Sequence, residues 1–214
     1  DSTMTLLSML SDDGEIQLGI FSDPTFNDSL LLYINDEIQE VNLSSVSNLN
    51  WENDDNFNLI SIVSDRENSI TNVFVNDTKI TNNITAIPDV DGLDLIIGAK
   101  SNDSFSVLDN FWHGYIDEIR LWKTALPDSV IEYHYKNPSI LSDKINNDYL
   151  DSLIGIWRFN FEGESLNSSI IDESDNNNDC KDVNDTGCNR ANYPTCSNID
   201  NSSGELMNHF QKQM

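Results

Sequence analysis

The sequence predicts an antiparallel all-β sandwich, and three observations carry that prediction. From Thr5 to about Gly98 the chain is a procession of short apolar runs broken by Asn, Asp, Gly and Ser, the pattern of strands joined by turns. Within several runs apolar and polar residues alternate with a period of two, as on a strand with one buried face. Inside the ordered part only VIEYHY (130–135) has the look of a helix, and it is short.

Taken in order, TLLSML (5–10) is followed by Ser11-Asp12-Asp13-Gly14, a turn signal. In EIQLGIF (15–21), Ile16, Leu18 and Ile20 alternate with Gln17 and Gly19, which predicts one buried and one wet face. After the Asp23-Pro24 break, SLLLYIND (29–36) is more continuously apolar, and a polar, edge-like piece runs through Val41 and Leu43. Trp51 opens the next unit. ENDDN (52–56) is a loop, FNLISIVSD (57–65) a core strand, and Asp65-Arg66-Glu67-Asn68 a turn into SITNVFVND (69–77), which ends on an Asn76-Asp77 turn. KITNNIT (79–85) reads as an exposed strand or loop. Past Pro88, the acidic DVDGLD leads into LIIGA (95–99), and residues 101–110 form a loop.

The stretch WHGYIDEIRLWKTAL (112–126) organises the rest. Gly114 releases the backbone, and Tyr115, Ile116, Ile119 and Leu121 supply strand-forming side chains around the carboxylate pair Asp117-Glu118. A strand that buries a carboxylate needs either an ion pair, here with Arg120 or Lys123, or a hard cation held by oxygen ligands. Pro127-Asp128-Ser129 then reads as a helix start, VIEYHY as its body and Asn137-Pro138 as its end. Residues 137–150 form a surface connection, and SLIGIWRFNF (152–161) is a strand with Ile154, Ile156 and Phe159 as core candidates around Trp157. The domain is expected over residues 1–163.

Over residues 164–214 the periodicity fails. This Asn/Asp-rich extension cannot bury a core of its own, so its order would come from disulfides or from lying on the sandwich. Its end, GELMNHFQKQM, reads as a short helix. Cys180, Cys188 and Cys196 suggest a small disulfide module, an odd number leaving one unpaired or paired outside this segment. No His completes a zinc pattern beside them.

Across 214 residues the formal net charge is -26 and the pI is near 4.1. Such a field repels nucleic acid and anionic lipid surfaces, while it favours solubility and cation binding. No apolar run approaches the roughly 20 residues that span a bilayer, so no membrane insertion is expected. The chain begins at Asp1 without an initiator Met or signal peptide, which reads as a mature form or a fragment. Glycan acceptor motifs at Asn27, Asn42, Asn76, Asn83, Asn102, Asn167, Asn184 and Asn201 point to a secreted, extracellular glycoprotein.

Trp51, the turn Val75-Asn76-Asp77, LIIGA, the segment 114–126 and IWRFNF follow one another in an order and spacing that resembles the laminin-G-like and pentraxin-like domains of the concanavalin A-like superfamily. The resemblance covers roughly residues 4–161, and GYIDEIRLW is its specific part. It implies a jelly roll of two antiparallel sheets, one concave and often ligand-bearing, the other covered by the short helix. Members usually begin with one or two further strands and an Asp-rich turn before the strand matching TLLSML, and these are missing. IWRFNF then either closes the domain, as in pentraxins, or opens a second repeat with its Asp-rich turn at 172–176; the first reading is preferred, because too little apolar sequence follows for another sandwich.

The resemblance also implies calcium near the concave face. Ser101-Asn102-Asp103-Ser104 occupies the place of the pentraxin calcium loop, though Lys100 stands beside it and carboxylates are fewer. Asp117 with Asp172 or Asp175 is the alternative set, set against solvated acids or an ion pair to Arg120. Superfamily glycosidases need two carboxylates about 5 to 9 Å apart in a cleft. No E-x-D-x-x-E string occurs here, and a regular strand would point Asp117 and Glu118 to opposite faces. His113, His134 and His209 adjoin no nucleophile motif, and His134 reads as structural. Trp51, Trp122 and Trp157 read as packing residues, leaving Trp112, at a loop end, as the candidate exposed sugar platform. The expected function is a non-enzymatic extracellular module for adhesion, assembly or recognition, with protein neighbours in a larger secreted protein or filament as partners. A calcium-dependent lectin for surface glycans is the alternative, and a glycosidase the third reading.

Overall fold

The strands form where the sequence runs apolar or alternates, and their burial shows why. In the computed structural model, residues 3–11, 15–23, 29–34, 37–47, 49, 57–84, 86–87, 93–102, 107–139, 149–159, 171–174, 176, 181–182, 194–196 and 207–213 are described. The strands are β1 (Met4–Leu10), β2 (Ile16–Ser22), β3 (Ser29–Ile34), β4 (Glu37–Asn42), β5 (Asn58–Asp65), β6 (Ile70–Val75), β7 (Thr78–Ile84), β8 (Asp94–Ile97), β9 (Lys100–Asn102), β10 (Val107–Asp109), β11 (Tyr115–Trp122), β12 (Leu153–Trp157), β13 (Lys181–Asp182), β14 (Pro194–Cys196) and β15 (Met207–Gln213). Among the described residues one α-helix, α1 (Asp128–Lys136), follows β11, and a 3-10 turn (Leu150–Ser152) precedes β12. All pairings are antiparallel. One sheet runs β13-β14-β8-β1-β2-β3-β4, a second runs β12-β11-β15-β5-β6-β7, and β9-β10 make a small third.

The two larger sheets share one hydrophobic core. Leu7, Met9, Leu18, Ile20, Leu32 and Leu95 from the first meet Ile60, Ile62, Val73, Ile119, Leu121 and Trp157 from the second. On the other side of the second sheet, α1 lays Val130 and Ile131 over Val63, Phe74, Trp122, Leu153 and Ile156. Asn137 ends the helix, its backbone N–H and its Nδ2 both donating to the Tyr133 carbonyl at 2.9 and 3.0 Å. That carbonyl is one of the unsatisfied acceptors every helix end leaves. The second sheet is therefore covered on both faces, which is why β5 is buried at all but its last position rather than alternating.

Two glycines in these strands serve a ring rather than a turn. A Cβ at Gly155 would lie 2.5 Å from the Trp157 ring, and one at Gly19 2.4 Å from the Phe21 ring. Each aromatic, two residues on, lies back over its glycine on the same face. The covered Gly19 means the outer face of β2 is not wet as its alternation implied: Gly19 and Phe21 are both buried. Gly155→Ala is expected to force the fully buried Trp157 out of place and to cost about 1 to 3 kcal/mol, measured as a fall in the urea midpoint at unchanged slope.

The structure departs from the sequence reading in four further places. Residues 101–110 are not simply a loop, since β9 and β10 pair there, Ser101 opposite Leu108. KITNNIT is the edge strand β7, with Ile80 and Ile84 buried beneath it. The extension beyond residue 163 is not wholly irregular: β13 and β14 lengthen the first sheet, and Thr195 and Cys196 pair with Ile96 and Leu95. Its last segment is a strand rather than a helix, β15, seated between β11 and β5. Trp51, Cys180 and Cys188 lie outside the described residues.

Candidate functional site

Among the described residues a network of ionisable side chains grows from one irregularity in β11. Asp117 pairs with Gln211 and Arg120 with His209, so Glu118 and Ile119 together face the single residue Phe210. That two-against-one count is a β-bulge, and Glu118 takes it up with φ of 51°, a left-handed conformation that costs a non-glycine residue. The bulge changes the parity of the strand. Ile116 and Ile119, three residues apart, both pack on the shared core, so Asp117 and Glu118 lie together on the stretch that leaves it. The expectation that alternation turns one acid inward and the other outward does not hold.

Glu118 is then shared between two guanidinium groups. Its Oε2 accepts from Nη2 of Arg120 at 3.0 Å, and its Oε1 lies 2.9 Å from Nε of Arg158. The second contact is off the N–H axis, an ion pair rather than an aligned hydrogen bond. Arg158 also donates from Nη1 to Glu173 at 3.2 Å and from Nη2 to the Ser139 carbonyl at 3.4 Å. Arg120, at 2 % exposure, donates to the Pro138 carbonyl as well. Burial pushes the Arg120 guanidinium down from its ordinary range, and the Glu118 charge pulls it back. Of the pair, Glu118 takes the first of the two accounts the sequence left open, an ion pair, with Arg120.

Asp117 and Asp172 use their oxygens on the backbone. Asp117 Oδ1 accepts from the N–H of Glu118 at 2.8 Å and of Phe159 at 3.4 Å. Asp172, buried and bridged to Trp157, accepts from the N–H of Ile156 at 2.8 Å and of Ser174 at 2.9 Å through Oδ1, and from the Ser174 hydroxyl at 2.7 Å through Oδ2. Ser174 donates on to the Ile154 carbonyl, and Asn176 to that of Leu153. This segment caps the free edge of β12, whose N–H and C=O groups would otherwise stand unpaired.

Among the described residues these oxygens are engaged with protein donors. A calcium cage needs six to eight oxygens converging on one point, whereas Oδ1 of Asp117 and of Asp172 accepts from backbone N–H groups and Oδ2 of Asp172 from the Ser174 hydroxyl. Among the described residues no cluster of three or more His, Cys, Asp or Glu could hold a metal. Asp103 and Asp175 lie outside the described residues, and Asn102 is described as backbone alone, opposite Val107.

The other predicted positions fall as follows. Trp112 is not an exposed platform: it is 5 % exposed and packs in the shared core. Its backbone N–H donates to the Gly98 carbonyl at 2.8 Å, which draws the loop end inward. Asn76 cannot take a glycan, being 2 % exposed with φ of 58° in the turn between β6 and β7. Its Oδ1 accepts from the Leu59 N–H and its Nδ2 donates to Asn58. Asn42, at the end of β4, is exposed. Asn83 is described as backbone alone, and Asn27, Asn167, Asn184 and Asn201 lie outside the described residues. His134 is buried and stacks on Trp122, ring centres 5.7 Å apart and planes 18° from parallel.

Sequence reasoning missed Arg158, Glu173 and the carbonyls of Pro138 and Ser139 as members of the network. Arg158 had a visible signal, a lone cation in the apolar run IGIWRFNF; the others had none. No protein family, curated protein or solved structure matches the chain, so what it does must be argued from this geometry.

Proposed function

We propose that the chain is a non-enzymatic extracellular module for adhesion, assembly or recognition, built as a laminin-G-like jelly roll and acting through its surface. The observation that carries the reading is the place of GYIDEIRLW. It is a strand of a sheet covered on both faces, it leads directly into the helix that covers one of them, and its carboxylates are taken up by internal partners. Chemistry directed outward then belongs to edges and exposed side chains. Among the described residues strand β4 ends the first sheet, with Ile38 65 % exposed between Glu37 and Gln39.

Sedimentation across a range of protein concentrations tests this. The chain is expected to associate as concentration rises, and Ile38→Lys, which puts a charge on the edge, to weaken association at least tenfold. A chain that stays monomeric throughout, gives a calorimetric response to calcium and then captures glycans on an array would overturn the reading in favour of the lectin.

A further inference from the structure

We propose that the gap between β5 and β11 is an acceptor slot for an apolar β-strand supplied by another polypeptide, a strand carrying basic residues at its ends. In this structure β15 occupies the slot, pairing with β11 on one side and β5 on the other. Slot and occupant are mismatched. Ile60 and Ile62 of β5 and Ile119 and Leu121 of β11 belong to the shared core, while Val63 and Trp122 belong to the cluster under α1, so both flanking strands are covered on both faces. A strand covered on both faces reads as a nearly continuous apolar run. The sequence of β15, MNHFQKQ, holds two apolar residues in seven.

The register locates the mismatch. By register Met207 falls between Trp122 and Val63, and Phe210 opposite Ile60, apolar residues in apolar rows. Asn208 falls between Leu121 and Ile62, both nearly inaccessible core residues, and Lys212 between Ile116 and Asn58. At the far end Gln213 pairs with Tyr115, which is 62 % exposed. Continuing the register by one residue sets it opposite Phe57, which is 36 % exposed. Two exposed aromatics thus bracket the mouth of the slot, where an apolar residue would bridge them. A second copy of the chain brings the same polar β15, so it does not resolve the mismatch. The net charge of -26 favours a donor with cationic ends. Adding a strand to a sheet is an established mode of recognition, with main-chain hydrogen bonds supplying affinity and side-chain pockets specificity.

The test uses the full chain and a fluorescent peptide of seven alternating valines and isoleucines flanked by two lysines at each end, beside the same peptide with a central proline. Binding is followed by anisotropy. The first peptide is expected to bind and to raise Tm, and the second to bind at least thirtyfold more weakly, because proline removes a ladder donor. Asn208→Val, which suits β15 to its row, is expected to raise Tm and weaken peptide binding at least tenfold; Phe210→Pro, which ejects β15, is expected to tighten it. Ile38→Lys leaves peptide binding unchanged, which separates this proposal from the edge proposed for β4. Should Phe210→Pro not fold, Asn208→Val decides alone. The proposal is overturned if wild type binds neither peptide, if the proline peptide binds equally well, or if Asn208→Val leaves binding unchanged. It is also overturned by a doubled mass that Phe210→Pro abolishes, since the occupant is then a second copy.

Discussion

Glu118→Gln is expected to destabilise the fold by about 3 to 5 kcal/mol, the range for removing one partner of a buried ion pair. Glu118 is 8 % exposed and is the carboxylate between Arg120 and Arg158, so its neutralisation leaves the buried Arg120 without its ion-pair partner, Asp117 being the lesser of its two carboxylate neighbours. Urea denaturation should show a lower midpoint at unchanged slope, since the surface exposed on unfolding is the same. Two companion variants separate charge from backbone. Glu118→Gly also loses the pair but relieves the left-handed conformation at φ of 51°, so it should be more stable than Glu118→Ala by about 1 kcal/mol. Combining Glu118→Leu with Arg120→Met replaces the pair by apolar groups and should cost less than Glu118→Gln alone. If the double change costs as much as the sum of its parts, the two side chains are not coupled and the network is only a surface arrangement.

The network also shows where local sequence reading stops. That GYIDEIRLW is a strand with an awkward acid pair was legible, because Tyr115, Ile116, Ile119 and Leu121 declare a strand and Asp117-Glu118 contradict its burial. The bulge was not. Alternation is inferred on the assumption of unbroken period two, and one extra residue opposite Phe210 reverses the faces on either side of it. The cations were half legible: Arg120 stands two residues from Glu118 on one strand, but Arg158 reaches it from just past the end of β12, a pairing set by tertiary topology.

Trp112 failed as an exposed platform for a similar reason. Its place at a loop end suggested solvent, whereas its backbone N–H bond to Gly98 and its packing on the shared core are long-range contacts. Strands β1, β2, β3, β5, β6 and β8, by contrast, were read to within two residues at either end, since each is a local apolar run closed by a turn signal, whereas the polar β4 and β7 were read only as an edge-like piece and as a strand or loop. At the C-terminus the polar MNHFQKQ gave no strand signal, and a segment with so little intrinsic preference takes its structure from the position it fills.

Trp122→Ala is expected to cost about 3 to 5 kcal/mol, as truncation of a buried tryptophan does, and to loosen α1 more than the rest of the fold. The ring is fully buried beneath the helix, stacked on His134 and surrounded by Val63, Phe74, Leu126, Val130, Ile131, Leu153 and Ile156. Those contacts are what hold α1 down: a helix of nine residues is too short to persist by its own hydrogen bonds. Amide exchange over Val130–His134 should therefore accelerate beyond what the global loss of stability explains. Trp122→Phe behaves differently. Trp122 Nε1 has no acceptor among the described residues, so replacing indole by phenyl removes a buried, unsatisfied donor while it gives up volume. Those terms oppose, and the expected net cost is below about 1.5 kcal/mol. A Trp122→Phe variant as unstable as Trp122→Ala would mean that the indole N–H is bonded after all, and that the helix is held by that bond rather than by packing.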